Sequence, residues 1–99
     1  MQAVRFTESA EKDIDAILSY TMSAWGDAQT EAYIDGLYRI LDMISANPAA
    51  GRLRPELAPD LRSFPHREHL IFYVLVDNEV LVIRVLAARQ NVQPDAFRP

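Results

Sequence analysis

Between Thr7 and Asn47 the apolar positions recur at three- and four-residue intervals, whereas from Leu61 to Ala87 they crowd into short runs. The first regime is that of helices with one buried face, the second that of strands. In TESAEKDIDAILSYTMSAW, Thr7 stands where an N-cap belongs. Glu8 and Glu11 fall in the first turn, where carboxylates meet the positive end of the helix dipole. At about 100° per residue, Ala10, Ile14, Ile17, Leu18, Thr21 and Trp25 share one side. Gly26 stops this helix and Asp27 can cap the next. In AQTEAYIDGLYRILDMISAN a broad face of Tyr33, Ile34, Leu37, Ile40, Leu41 and Ile44 continues until Asn47-Pro48, since proline disfavours helix in the residue before it. So short a connection predicts an antiparallel helical hairpin.

Residues 48–60, PAAGRLRPELAPD, carry three prolines and a glycine and predict an irregular crossing. Strands follow at LRSF (61–64), HLIFYVLV (69–76) and EVLVIRVLA (79–87), with a further short one at AVRF (3–6). Asp77-Asn78 suits a two-residue hairpin turn because both residues tolerate positive φ. Residues 90–99 read as a loose tail. No repeat or linker divides the chain, so residues 1–99 are expected to form one α+β domain. The helical hairpin should pack on one face of a small, mainly antiparallel sheet.

The turn sets the register, and the register sets the faces. Counting outward from Val76 opposite Glu79 puts Ile71 opposite Arg84. One face then carries Leu70, Phe72, Val74, Leu81, Ile83 and Val85, wholly apolar and expected beneath the helices. The other carries His69, Ile71, Tyr73, Val82, Arg84 and Leu86. Treating Pro65 to Glu68 as a loop adds Arg62 to the row of Ile71 and Arg84. A guanidinium inside an apolar run must either face water or find a partner. This register places Arg84 on an open face, where two arginine forks would suit a carboxylate or phosphate.

Composition narrows the chemistry. With no cysteine among 99 residues, neither disulfides nor thiolate zinc sites are available. A net charge of −4 argues against a domain built mainly to bind phosphate backbones. The start MQAVRFTESAEKD has no signal-peptide pattern and no run approaches membrane-spanning length, so a cytoplasmic protein is expected. His66 and His69 with Glu68 are too few for an expected metal site, and neither a glycine-rich phosphate loop nor a nucleophile elbow occurs. No cofactor is expected.

In AEKDIDAILSYTMSAWG, NPAAGR, LRSF, HLIFYVL and VIRVLAARQNV, the order and spacing resemble those of ParE-type toxins of the RelE/ParE superfamily. The first segment is similar to that family's A-x-x-D-[LI]-x-x-I-x-x-Y…W-G helix. The last is similar to a variant of I-R-[VI]-L-H-x-R-M-D-V, with Ala87 in the histidine slot and Gln90-Asn91 in place of Met-Asp. The resemblance implies a helical hairpin on an antiparallel sheet, inhibition of DNA gyrase, and neutralisation by a ParD-like antitoxin in a hetero-oligomer. It implies no catalytic residue. Arg62, His69, Tyr73, Arg84 and Arg89 are the expected target- or antitoxin-binding residues of the open sheet face. Tyr20, Met22 and Tyr38, flanking the apolar stripes of the hairpin, are the expected seat of an antitoxin helix. Relatives of the RelE branch cleave mRNA on the ribosome instead. That chemistry needs proton donors and acceptors beside cations. The stretch after Arg84 supplies neither tyrosine nor histidine, which leaves Tyr73 and His69 as the candidates, each also readable as an ordinary strand residue. A degraded, non-toxic interaction domain would fold identically.

Overall fold

The computed structural model describes residues 4–97. In chain order these form β1 (Val4–Phe6), α1 (Glu8–Trp25), α2 (Asp27–Ala46), a 3-10 turn (Pro48–Ala50), β2 (Arg52–Leu53), β3 (Arg62–His66), β4 (His69–Val76), β5 (Glu79–Ala87) and a second 3-10 turn (Pro94–Phe97). Ala3, expected in the first strand, lies outside the described residues. The sheet runs β1-β5-β4-β3-β2, antiparallel throughout except for β1, which lies parallel to β5.

Thr7 caps α1 as its position suggests, accepting from the Ala10 amide at 3.0 Å. Its hydroxyl also donates to the Ile83 carbonyl at 2.7 Å, which ties the helix start to β5. One residue separates the helices. Gly26, at φ 85°, both ends α1 and caps α2, so the expected capping by Asp27 gives way to an acid in the first helical turn. α2 ends at Ala46, with Asn47 as its C-cap.

Asp77 and Asn78 both have positive φ and hold Val76 opposite Glu79, as expected. The register then departs from simple counting. Tyr73 pairs with Val82, but Phe72 pairs with Arg84, because a β-bulge at this point inserts an extra residue in β5. Ile71 therefore faces Val85 rather than Arg84. On the β3 side the turn is only Arg67-Glu68, with Arg67 at φ 54° and His66 opposite His69. Arg62 accordingly faces Tyr73, and the expected row of Arg62, Ile71 and Arg84 does not form.

The two faces are also exchanged. Ile71, Tyr73, Val80, Val82 and Val85 form the core with Ala10, Tyr33, Leu37, Leu41 and Ile44 of the helices. Leu70, Phe72, Val74 and Ile83 instead join a second cluster on the far side, beneath Leu57, Leu61, Val92 and Phe97. Polarity misled because the bulge takes Arg84 out of the helix-facing row and puts Val85 into it. The polar ends of Tyr73 and His69 find partners inside. Within the expected loose tail, Pro94–Phe97 form a 3-10 turn and the ring of Phe97 packs 4.9 Å from that of Phe72.

Candidate functional site

Beside the bulge, the Arg84 guanidinium and the Val85 amide both lie within reach of α1. Asp13 meets both. Its carboxylate accepts from Arg84 Nε at 2.7 Å, from Nη2 at 2.9 Å and from the Val85 amide at 3.0 Å. Arg84 Nη1 also donates to the Ala96 carbonyl at 3.2 Å. The side chains retain only 25% and 15% of their exposure, and the Asp13 carboxylate holds the guanidinium's pKa above its usual range. Arg84 is thus an internal clamp between α1, β5 and the C-terminal turn, not an open-face binding group. The placement of this arginine in an apolar run is explained by a partner 71 residues away.

Arg62 and Tyr73 are likewise committed. Arg62 Nη1 donates to the Gly51 carbonyl at 2.7 Å. The Tyr73 phenol donates to the Pro48 carbonyl at 2.7 Å and accepts from the Gly51 amide at 2.8 Å. Burial raises the phenol's pKa. A Cβ at Gly51 would collide with this hydroxyl, so the closeness of loop and ring requires glycine. Together the two side chains pin the crossing between α2 and β2 and leave the open-face assignment of both overturned.

His69 also lies on the helix side, at the start of β4. The Tyr33 hydroxyl and the His69 Nδ1 are hydrogen-bonded at 3.3 Å, while His66 Nε2 donates to the Tyr33 backbone carbonyl at 3.0 Å. The Tyr33 ring centroid sits 4.5 Å from that of His66 and 5.7 Å from that of His69. Burial pushes the Tyr33 phenol up to about 12 and lowers both imidazoles, so that at neutral pH all three groups are uncharged.

In front of this stack opens a cleft of about 760 Å³ between the hairpin tip and the ends of β4 and β5. Tyr20, Trp25 and Tyr33 form its aromatic wall, Ala87 and Ala88 lie at the strand end, and Arg67, Glu68 and Arg89 complete the lining. Arg89 therefore belongs to this cleft beyond the end of β5 and not to a sheet face. A smaller groove, about 420 Å³, lies between α1 and α2, lined by Phe6, Ile14, Leu18, Ile34 and Tyr38, with Glu11 and Asp15 also in its lining. Among the described residues no group of three potential metal ligands converges.

The hairpin exposes large apolar side chains: Tyr20 at 69%, Trp25 at 66%, Tyr38 at 62% and Met22 at 46%. Tyr20, Met22 and Tyr38 stand outward as expected. Trp25 corrects the sequence reading, which placed it with the apolar stripe: it is exposed and lines the wide cleft. Sequence reasoning also missed Asp13, Tyr33 and Arg67. For Asp13 a signal existed, since it is the aspartate of A-x-x-D-[LI], and its partner is the arginine of I-R-[VI]-L.

Comparison with known proteins places the fold and the motifs together. The family described as the ParE toxin of type II toxin-antitoxin system, parDE, matches residues 4–92. Toxin ParE1 of Caulobacter vibrioides is 30% identical over 93 residues, spanning 94% of this chain and 96% of its own length. Toxin ParE of Escherichia coli is 31% identical over 93 residues, spanning 93% and 90%. Among solved structures, a chain of the chromosomal ParDE TA system from P. aeruginosa superposes with a TM-score of 0.73 at 17% identity, over 88% of this chain and 96% of that one. A chain of the YoeB-YefM complex from Staphylococcus aureus gives 0.59 at 17% identity, over 87% and 95%.

Proposed function

From the premise that this chain belongs to the family of ParE toxins of type II toxin–antitoxin systems, we propose that it arrests growth by inhibiting DNA gyrase and is silenced by a ParD-like antitoxin. The observation that carries this is a contrast between the two layers. The sheet's polar groups are engaged within the fold: Arg84 by Asp13, Arg62 and Tyr73 by the crossing loop. The hairpin instead offers Tyr20, Met22, Trp25 and Tyr38 to solvent, Tyr38 at the inter-helical groove and Tyr20 and Trp25 at the wide cleft. That is a surface for protein recognition, and an amphipathic antitoxin helix suits it. The structural neighbours, a ParDE TA system from P. aeruginosa and a YoeB-YefM complex from Staphylococcus aureus, favour a hetero-oligomer here as well. No helix among the described residues is long and apolar enough to cross a membrane; it is the proposed gyrase target that makes the cytoplasm the expected place of action.

Messenger RNA cleavage is the second reading, supported by the Tyr33–His69 pair near Arg67 and Arg89. It ranks lower. Ala87 presents a methyl group opposite His69 where the family's histidine would stand. The phenol, pushed up to about 12, is a poor base, and the imidazole's pKa is moved away from neutrality. Purified gyrase relaxing and supercoiling a plasmid separates the readings. Added chain should abolish supercoiling while translating ribosomes yield no new mRNA 5′ ends; intact supercoiling with site-specific mRNA cleavage would reverse the order.

A further inference from the structure

Arg67 and Arg89 differ from the arginines of the sheet. No ion pair holds either side chain among the described residues, and both line the wide cleft at the hairpin tip. Arg67 occupies a two-residue turn at φ 54° and lies close enough to Tyr33 and His66 to act on their titration. Arg89 approaches from the end of β5, fixed by the Ala88 amide on the Glu68 carbonyl at 2.8 Å. Two guanidinium forks with no internal anion thus flank an aromatic wall of Tyr20 and Trp25, in a chain whose net charge is −4. Glu68 is the only carboxylate in the lining, and the neighbouring His69 is neutral.

We propose that this cleft receives an acidic segment of the antitoxin, a carboxylate seated on Arg67 and Arg89 and an adjacent apolar side chain laid against Tyr20 and Trp25. The assignment rests on the toxin–antitoxin reading and relocates its electrostatic contact from the sheet to the hairpin tip. Guanidinium forks hold carboxylates bidentately. Exposed aromatic rings beside them supply the apolar anchor around which such contacts concentrate. The cleft's volume is sufficient for a few peptide side chains. Tyr20 is shared between this cleft and the exposed hairpin surface, so one partner chain can cover both.

Trp25 is the only tryptophan of the chain and lines the cleft, which makes its fluorescence a local reporter. The probe is a blocked hexapeptide alternating glutamate and leucine, titrated into the purified chain, with a lysine–leucine peptide and adenosine monophosphate in parallel. The acidic peptide should shift Trp25 emission saturably, with affinity falling at least tenfold in the double variant Arg67→Ser, Arg89→Ser and falling with added salt. Circular dichroism of the variant should match the parent's. An acidic peptide that leaves emission unchanged, or binds the variant equally well, overturns the assignment. Stronger saturable binding of the nucleotide overturns it in favour of a nucleotide site. Growth arrest on expression of the parent chain tests the toxin reading separately and does not depend on this cleft.

Discussion

Asp13 ties α1 to β5, because one carboxylate satisfies a guanidinium and a strand amide at once. Arg84→Leu removes the cation and leaves that carboxylate largely enclosed. Its cost should fall toward the lower end of about 3–5 kcal/mol, read as a lowered urea midpoint with an unchanged slope. Asp13→Ala should cost similarly. The double variant should cost less than the sum, as expected for groups acting as a unit. Near-additive losses would show that the two side chains are stabilised separately. The histidines predict a pH dependence. Burial lowers the pKa of His66 and His69 in the folded state below the ordinary 6.5, so the unfolded chain binds more protons as pH falls past that value. Their contribution to stability is complete above about pH 6.5 and declines as the pH drops toward the folded-state values. Unfolding midpoints measured between pH 7.5 and 5 should fall accordingly, and the fall should be shallower in His66→Gln.

At the scale of elements, the single-residue link between α1 and α2 depends on Gly26 at φ 85°. A Cβ there meets no neighbour within 4 Å, so Gly26→Ala tests backbone strain alone. It should lower stability by about 1 kcal/mol or somewhat more, measured by thermal unfolding. The helices, β4, β5 and the Asp77-Asn78 turn were legible because each is a local pattern of period, cap or turn chemistry. The bulge was not. An extra residue within VLVIRVLA leaves no mark in an unbroken apolar run, and it decided the register of Arg84. Which sheet face lies under the helices was illegible for a related reason. Both faces are largely apolar, and the second is covered by residues 57–61 and 92–97, whose sequence shows no regular period. Tyr73 and His69 looked like solvent-facing groups because their partners, Pro48, Gly51 and Tyr33, are distant in sequence. Tyr20, Met22 and Tyr38 were legible as large side chains beside rather than within a helical stripe.

Across the whole molecule, the exposed aromatic side chains Tyr20, Trp25 and Tyr38 collect on the hairpin and its tip, while Arg62 and Arg84 of the sheet are engaged within the fold. Tyr38→Asp should weaken neutralisation by a co-expressed ParD-like antitoxin without changing the thermal unfolding temperature by more than a few degrees, since Tyr38 is exposed. Calorimetry of the complex and colony survival would register the change, and full rescue by the antitoxin at unchanged affinity would remove Tyr38 from the interface. One feature of the sheet reaches beyond recognition. β1 lies parallel to β5, with Val4 against Val80 and Thr7 bonded to Ile83 across 76 residues. During synthesis, the helical hairpin therefore emerges with its inner face bare and stays so until β5 has left the ribosome. Such non-local closure is slow, and it makes the last third of the chain a condition for the first. A chain ended at Asn78 should show no cooperative unfolding by circular dichroism. Interrupted translation upstream of β5 thus yields fragments that lack the strand on which the hairpin's inner face is buried.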